Sequence, residues 1–195
     1  MLRIDQRVWV VAITLASCFS VSCMSSRPSP MTLESYELVQ SDCFAAIEPV
    51  PSEELDAPET VRRAYSLLRS AEVFSSPYIG FGGEPSCEVM AFQRILDSPV
   101  ADGMFKRLIE QATLAGQLYG LSGLYFTDPG SFVAQVDRYG KMKKPVRTQN
   151  GCIISEEPVM AIVEAPRSRY GIANGRLPRS FKSAFRATSD RAGRL

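Results

Sequence analysis

The sequence predicts a mainly α-helical protein, a small helical bundle or short helical-repeat stack with a C-terminal β-hairpin, a disordered tether before it and a disordered tail after it. Three observations carry this. The run from Gln111 to Thr127 holds no charge between Glu110 and Asp128, and Leu114, Leu121, Leu124 and Tyr125 fall at helical spacing. Between Ala57 and Gly140 apolar residues recur at i, i+3 and i+4, punctuated by Ser, Thr and Asp in cap positions. After Gly140 the period changes to two, around Asn150-Gly151, the strongest short hairpin signal.

The uncharged run is the centre of the expected core. Ala112, Gly116 and Gly120 lie four apart and share one stripe, where a second backbone can approach. Each glycine inside a helix costs about 1 kcal/mol relative to alanine, and Gly116, Gly120 and Gly123 all lie inside it. Close burial is the natural compensation. With Gln111, Thr113, Gln117 and Ser122 in it, the run is too short and too polar to span a bilayer.

The remaining elements follow in order. Asp56 as cap, Pro58 in the first turn and Glu59 three residues on predict a helix with the face Val61, Ala64, Tyr65, Leu68 and Ala71, ending near Phe74. Ser75 to Pro85 reads as a loop. Ser86 caps a second helix with Val89, Phe92, Ile95 and Leu96 inward, and Ser98-Pro99 opens a third bearing Met104, Phe105, Leu108 and Ala112. Thr113 divides this from the central helix, or else one long helix runs from Pro99 to Phe126. Asp128-Pro129 opens the next, with Phe132, Val133 and Val136 inward and Gly140 at its stop. Pro145 to Gln149 and Cys152 to Ser155 form the hairpin, and Val159 to Glu164 is a third β-like run. The short capped helices over Ala57 to Gly140 resemble HEAT-type helical repeats, which implies a stacked surface.

At the N-terminus, Arg3 and Arg7 precede an apolar stretch, Val8 to Ala16, in the manner of a signal peptide. Leu15-Ala16-Ser17-Cys18 then resembles the lipobox of bacterial lipoproteins. The resemblance implies that residues 1–17 are a signal peptide, that Cys18 carries a lipid anchor, palmitate included, and that the protein is held to a membrane of the cell envelope, on its periplasmic side or at the cell surface. Cys23 follows Ser20-Val21-Ser22 and fits the pattern less well. Residues 18–33, rich in Ser, Pro and Met, form the tether. Residues 34–166 form the single domain, with 34–56 draped irregularly upon it. Residues 167–195 form a basic tail that is expected to be disordered and removable with little loss of thermal stability.

Charge is unevenly placed. Loss of residues 1–17 removes Arg3, Asp5 and Arg7 and leaves 20 bases and 20 acids. Residues 28–61 carry eight acids and no base, whereas residues 167–195 carry eight bases against Asp190 alone. Such polarity predicts flanks that meet each other or have partners of their own.

The function classes narrow by chemistry. The 195 residues contain no histidine, which removes the commonest general base, the Ser-His and Cys-His pairs and most catalytic zinc sites. Gly80-Phe81-Gly82-Gly83 before Ser86 lacks the lysine and hydroxyl of a phosphate loop and reads as a connection. Ser122 sits in a helix with no base to activate it. Glu84 with Glu88 and Asp97 with Asp102 lie near helix N-termini, where acids are favoured by the dipole. Lys141, Lys143, Lys144 and Arg147 read as guards against edge pairing. No metal or cofactor pattern is present. Of the cysteines beyond Cys18 and Cys23, Cys152 is expected to form a disulfide with Cys43 or Cys87.

The expected function is therefore a membrane-tethered, non-enzymatic interaction module with a protein partner. Polyanion or anionic-lipid binding through the basic tail, and a carboxylate-dependent hydrolase of envelope polymers, are the alternatives. Replacing Cys18 with Ala is expected to release the protein from the membrane fraction and to leave the precursor uncleaved; unchanged fractionation and processing would remove the lipobox reading.

Overall fold

Helix α4, Leu114–Thr127, is buried on every side, and the other elements pack around it. The computed structural model describes residues 43–81, 84–164, 171–173 and 175–182. In chain order these form α1 (Glu59–Arg69), β1 (Val73–Ile79), β2 (Glu84–Pro85), α2 (Cys87–Leu96), α3 (Ala101–Gln111), α4, α5 (Pro129–Gly140), β3 (Pro145–Gly151), β4 (Ile153–Pro158) and α6 (Val159–Glu164), then α7 over 176–182. The protein is thus mostly helical with a small mixed sheet in the order β2-β1-β3-β4.

The glycines of α4 set how closely its neighbours approach. A Cβ on Gly116 would fall on the Leu68 carbonyl of α1 and lie 2.7 Å from the Ala112 Cβ. One on Gly120 would lie 3.0 Å from both the Phe105 carbonyl oxygen and the Leu108 Cβ of α3, and one on Gly123 would enter the Phe105 ring. The stripe therefore serves two neighbours. Thr113 caps α4, its hydroxyl accepting from the Gly116 amide at 3.2 Å and donating to the Ala71 carbonyl. This cap makes α3 and α4 two helices.

Local chemistry explains several other boundaries. Ser86 caps α2 by accepting from the Val89 amide at 3.1 Å. Asp128 caps α5 by accepting from the Ser131 amide at 3.0 Å, with Pro129 following. Two expected caps are not made. Helix α1 starts after Pro58 with no side-chain cap, and α3 starts at Ala101 while the Ser98 hydroxyl accepts from the Val100 amide within the preceding turn. On α5, Phe132 is buried but Val133 is 66% exposed.

Three expectations are overturned. Helix α1 stops at Arg69, and Val73 to Ile79, read as helix end and loop, is a strand that pairs in parallel with β3, Val73 opposite Arg147 and Phe74 opposite Thr148. Its β-branched and aromatic residues suit a pleated surface, but the partner lies some seventy residues away. The β-like run Val159 to Glu164 is a helix: Val159, Ile162 and Val163, at i, i+3 and i+4, are all buried. The tail is not wholly free of the domain, because Ile172, Leu177 and Phe181 are buried. Phe181 lies 5.3 Å from Phe92, 5.9 Å from Tyr119 and 6.1 Å from Phe74 between ring centroids, within the range of aromatic pairing. Residues 183–195 lie outside the described part.

Buried tyrosines keep their polar ends occupied. The Tyr119 hydroxyl accepts from the Ser75 amide at 2.7 Å, and the Tyr139 hydroxyl donates to Gln117 Oε1 at 2.8 Å. Among the described residues, the acidic N-terminal flank is pinned by arginines of α1. Arg63 Nη1 donates to the carbonyls of Phe44, Ala45 and Ile47, Arg62 to that of Val50, and Arg69 pairs with Glu54 at 2.8 Å.

Two outcomes follow from this packing. Gly116→Ala should lower the melting temperature, since a propensity gain of about 1 kcal/mol is set against an overpacking cost of about 1–3 kcal/mol; a rise would mean that α1 does not approach α4 as described. Phe181→Ala, read by denaturant unfolding, should cost about 3–5 kcal/mol, and an unchanged midpoint would show that α7 is not part of the core.

Candidate interaction surface

The sheet brings together two turns that the sequence keeps seventy residues apart. Parallel pairing of β1 with β3 places Ile79 opposite Gly151, and the Gly80 amide donates to the Gly151 carbonyl at 3.1 Å. Ser76 joins them further, its hydroxyl donating to the Tyr78 carbonyl at 2.7 Å and accepting from the Gly151 amide at 3.3 Å. Gly80 and Gly151 have φ of 69° and 58°, the left-handed region that glycine adopts without strain. β3 and β4 pair antiparallel with Asn150 opposite Ile153, so Gly151 and Cys152 form the two-residue turn. Glycine leading such a turn matches the type II′ preference. The expected Asn-Gly turn is thus displaced by one residue.

Four large apolar side chains around these turns are exposed. Phe81 is 72% exposed, Ile153 68%, Ile154 52% and Tyr78 36%. Residues 75–83 and 148–155 contain no charged residue, and burial raises the Tyr78 phenol above its ordinary value, so it stays neutral. Among the described residues, only Val100 and Val133 are exposed large hydrophobics elsewhere. Scattered apolar residues are ordinary on a surface; a cluster on one edge marks contact with something apolar.

Among the described residues β4 is also an edge strand, with β3 as its one neighbour. Asn150 and Ile153 flank a two-residue turn and form a hydrogen-bonded pair, so bonded pairs recur at Thr148–Ser155 and Val146–Glu157. The Val159 amide bonded to the Lys144 carbonyl at 3.0 Å continues the alternation. Ile154 and Glu156 therefore point their amides and carbonyls outward, and Pro158, which has no amide hydrogen, limits the edge.

The sequence-predicted sites are dispersed. The disulfide joins Cys43 to Cys87 across a sequence separation of 44, and Cys152 lies outside it at the β3–β4 turn. Pairing with Cys152 is therefore corrected: residues draped on α1 bring Cys43 to the first residue of α2. Cys18, the expected tether over 18–33 and the expected leader over 1–17 lie outside the described residues. Ser122 is buried and its hydroxyl donates to the Leu118 carbonyl at 2.8 Å, bonding one turn back along its helix. Asp97 accepts from Gln93 Nε2 at 2.7 Å, whereas Asp102 pairs with Lys106 at 2.9 Å, so the two are not a dyad. Glu88 accepts from the Ser75 hydroxyl at 3.4 Å, while the side chain of Glu84 lies outside the described residues. Lys141 pairs with Asp137 at 2.6 Å and Arg147 stands opposite Glu156. Because β3 is an interior strand, guarding an edge does not explain the basic cluster.

One ion triad escaped the sequence reading. Lys106 Nζ bridges Asp102 at 2.9 Å and Asp128 at 2.8 Å. Hydrogen bonds from Lys106 and Ser131 hold the Asp128 carboxyl well below the usual carboxylate range. It is an anionic cap and not a proton donor. Among the described residues no group of three potential metal ligands is present, and no helix is long and apolar enough to cross a membrane. No family model, curated protein or solved structure matches the chain.

Two measurements check these assignments. Non-reducing peptide mapping should recover Cys43 joined to Cys87, and Cys87→Ser should cost about 2–4 kcal/mol for a loop of this length; a Cys152 adduct in the map would contradict it. The folded-state pKa of Asp128 is depressed, so its contribution is complete above the unfolded value of 3.8 and is lost as pH falls from there. Asp128→Asn should flatten that part of the acid unfolding curve, and an identical curve would show that the triad adds nothing.

Proposed function

We propose that this chain is a lipid-anchored protein of a bacterial cell envelope, held through Cys18, whose folded body is a non-enzymatic interaction module. The observation that carries the reading is the pair of uncharged turns exposing Tyr78, Phe81, Ile153 and Ile154 at one end of the sheet. An apolar cluster of this kind gains about 25 cal/mol for each square ångström it buries, so a partner surface is favoured. The anchor supplies proximity, and the turns supply adhesion. The helical body, an irregular stack around α4, holds both turns in fixed register.

A second reading has an observation of its own. Helix α7 buries Leu177 and Phe181 and exposes Arg176 and Arg179. The Arg179 guanidinium sits 5.6 Å from the centroid of the Tyr125 ring, and Lys182 Nζ 5.0 Å from that of Phe126. Aromatic rings thereby orient these cations at the surface. Polyanion or anionic-lipid binding by this end of the chain would weaken steeply with salt.

The first reading is tested by a photo-crosslinking residue at Phe81 in intact cells, compared with one at Val133. An adduct at 81 and none at 133 is expected. Equal labelling, or none at either position, would discard the apolar end as a contact surface.

A further inference from the structure

We infer that the occupant of the apolar sheet end is the bilayer to which the chain is anchored, the turns at Phe81 and at Cys152–Ile154 dipping into its interfacial region. The inference rests on the reading of Cys18 as the anchor and of this end as a contact surface.

The route of the chain supports the membrane as occupant. Cys18 and Cys43 are separated by the 24 residues 19–42, which span at most about 80 Å. The chain enters the described fold at Cys43, whose Cα is 5.4 Å from that of Cys87. Cys87 follows directly on β2 and Ser86, and β2 pairs with β1 through Tyr78–Pro85 and Ile79–Glu84. Cys87 is therefore about five strand residues from Phe81, on the order of 15 Å. The disulfide thus fixes Cys43, the first described residue on the anchor side, close to the apolar end. An anchor at Cys18, at most this contour length from Cys43, keeps that end near the surface, so weak insertion suffices.

The distribution of charge gives the orientation. Residues 75–83 and 148–155 are uncharged, so neither turn carries an ion into the interface. The basic residues Lys141, Lys143 and Lys144 precede β3 at its other end, about 20 Å from the β3–β4 turn along a seven-residue strand. Headgroup attraction is thus not what seats the turns. Burial of Phe81, Ile153 and Ile154 is, and aromatic and aliphatic side chains on a polar backbone are suited to that depth.

The test uses the full chain, expressed so that it is lipidated and then reconstituted into phosphatidylcholine vesicles, with lipid at Cys18 verified by mass spectrometry. Trp9 is the one tryptophan and lies in the leader lost on lipidation, so Phe81→Trp gives a single probe, and Val133→Trp gives its control. Insertion should blue-shift the probe at 81 and let bilayer-embedded quenchers quench it, leaving that at 133 unaffected. The result should be the same at low and high salt, and with or without phosphatidylglycerol. Quenching at 81 no greater than at 133 overturns the inference, and so does quenching that disappears at high salt. If the unquenched protein still crosslinks another protein from position 81 in cells, the contact surface stands and its occupant is a protein. A chain without lipid at Cys18 removes the tether and overturns both the inference and the anchored reading.

Discussion

Helix α4 can be enclosed on all sides because Gly116 and Gly120 leave space for main-chain carbonyls where any other residue would place a Cβ. The Leu68 carbonyl of α1 and the Phe105 carbonyl of α3 occupy that space. This close approach sets the rest. With α1 seated on α4, the chain leaves Ser70 so that β1 runs beside Tyr119, whose hydroxyl accepts the Ser75 amide. Phe74, Phe92, Tyr119 and Phe181 then close one aromatic cluster from β1, α2, α4 and α7. The glycines cost helix propensity, and the dispersion and apolar burial that they permit offset it.

How much of this the sequence reveals depends on the range of the interaction. Caps act within three residues, and Ser86, Thr113 and Asp128 were legible because side chain and amide lie in one turn. The segment Val73 to Ile79 was not, because its strand character depends on pairing with Arg147 to Gly151. Val159 to Glu164 favours a strand by residue type, yet its i, i+3, i+4 spacing was present and buried surface decided in favour of helix. Ile172, Leu177 and Phe181 are three apolar residues diluted among glycine, serine and arginine, and only their tertiary burial, Phe181 against Phe92 and Tyr119, distinguishes them from a solvated tail. For the candidate surface, each uncharged run could be seen separately. Their juxtaposition could not, since it arises from one parallel strand pairing across four helices.

The two poles of the molecule differ in chemistry. At one end of the sheet, hydrogen bonds between Ser76, Gly80 and Gly151 use up main-chain polarity and leave apolar side chains outside. At the other, Lys141, Lys143 and Lys144 keep the approach to β3 solvated. A protein held by a lipid at Cys18 would meet its membrane with the first and present the second to the aqueous side. In that arrangement the disulfide between Cys43 and Cys87 has a positional role besides its effect on stability, because it holds the anchor-side end of the described chain beside α2.

Hydrogen exchange tests this account most directly, because it reads both turns in the unmodified protein. Exchange would be compared between the lipidated chain on membranes and the same chain freed from its anchor. The account predicts faster exchange on release for amides of residues 78–81 and 151–154, with the amides of α4 unchanged. Equal exchange at both turns in the two states would contradict it.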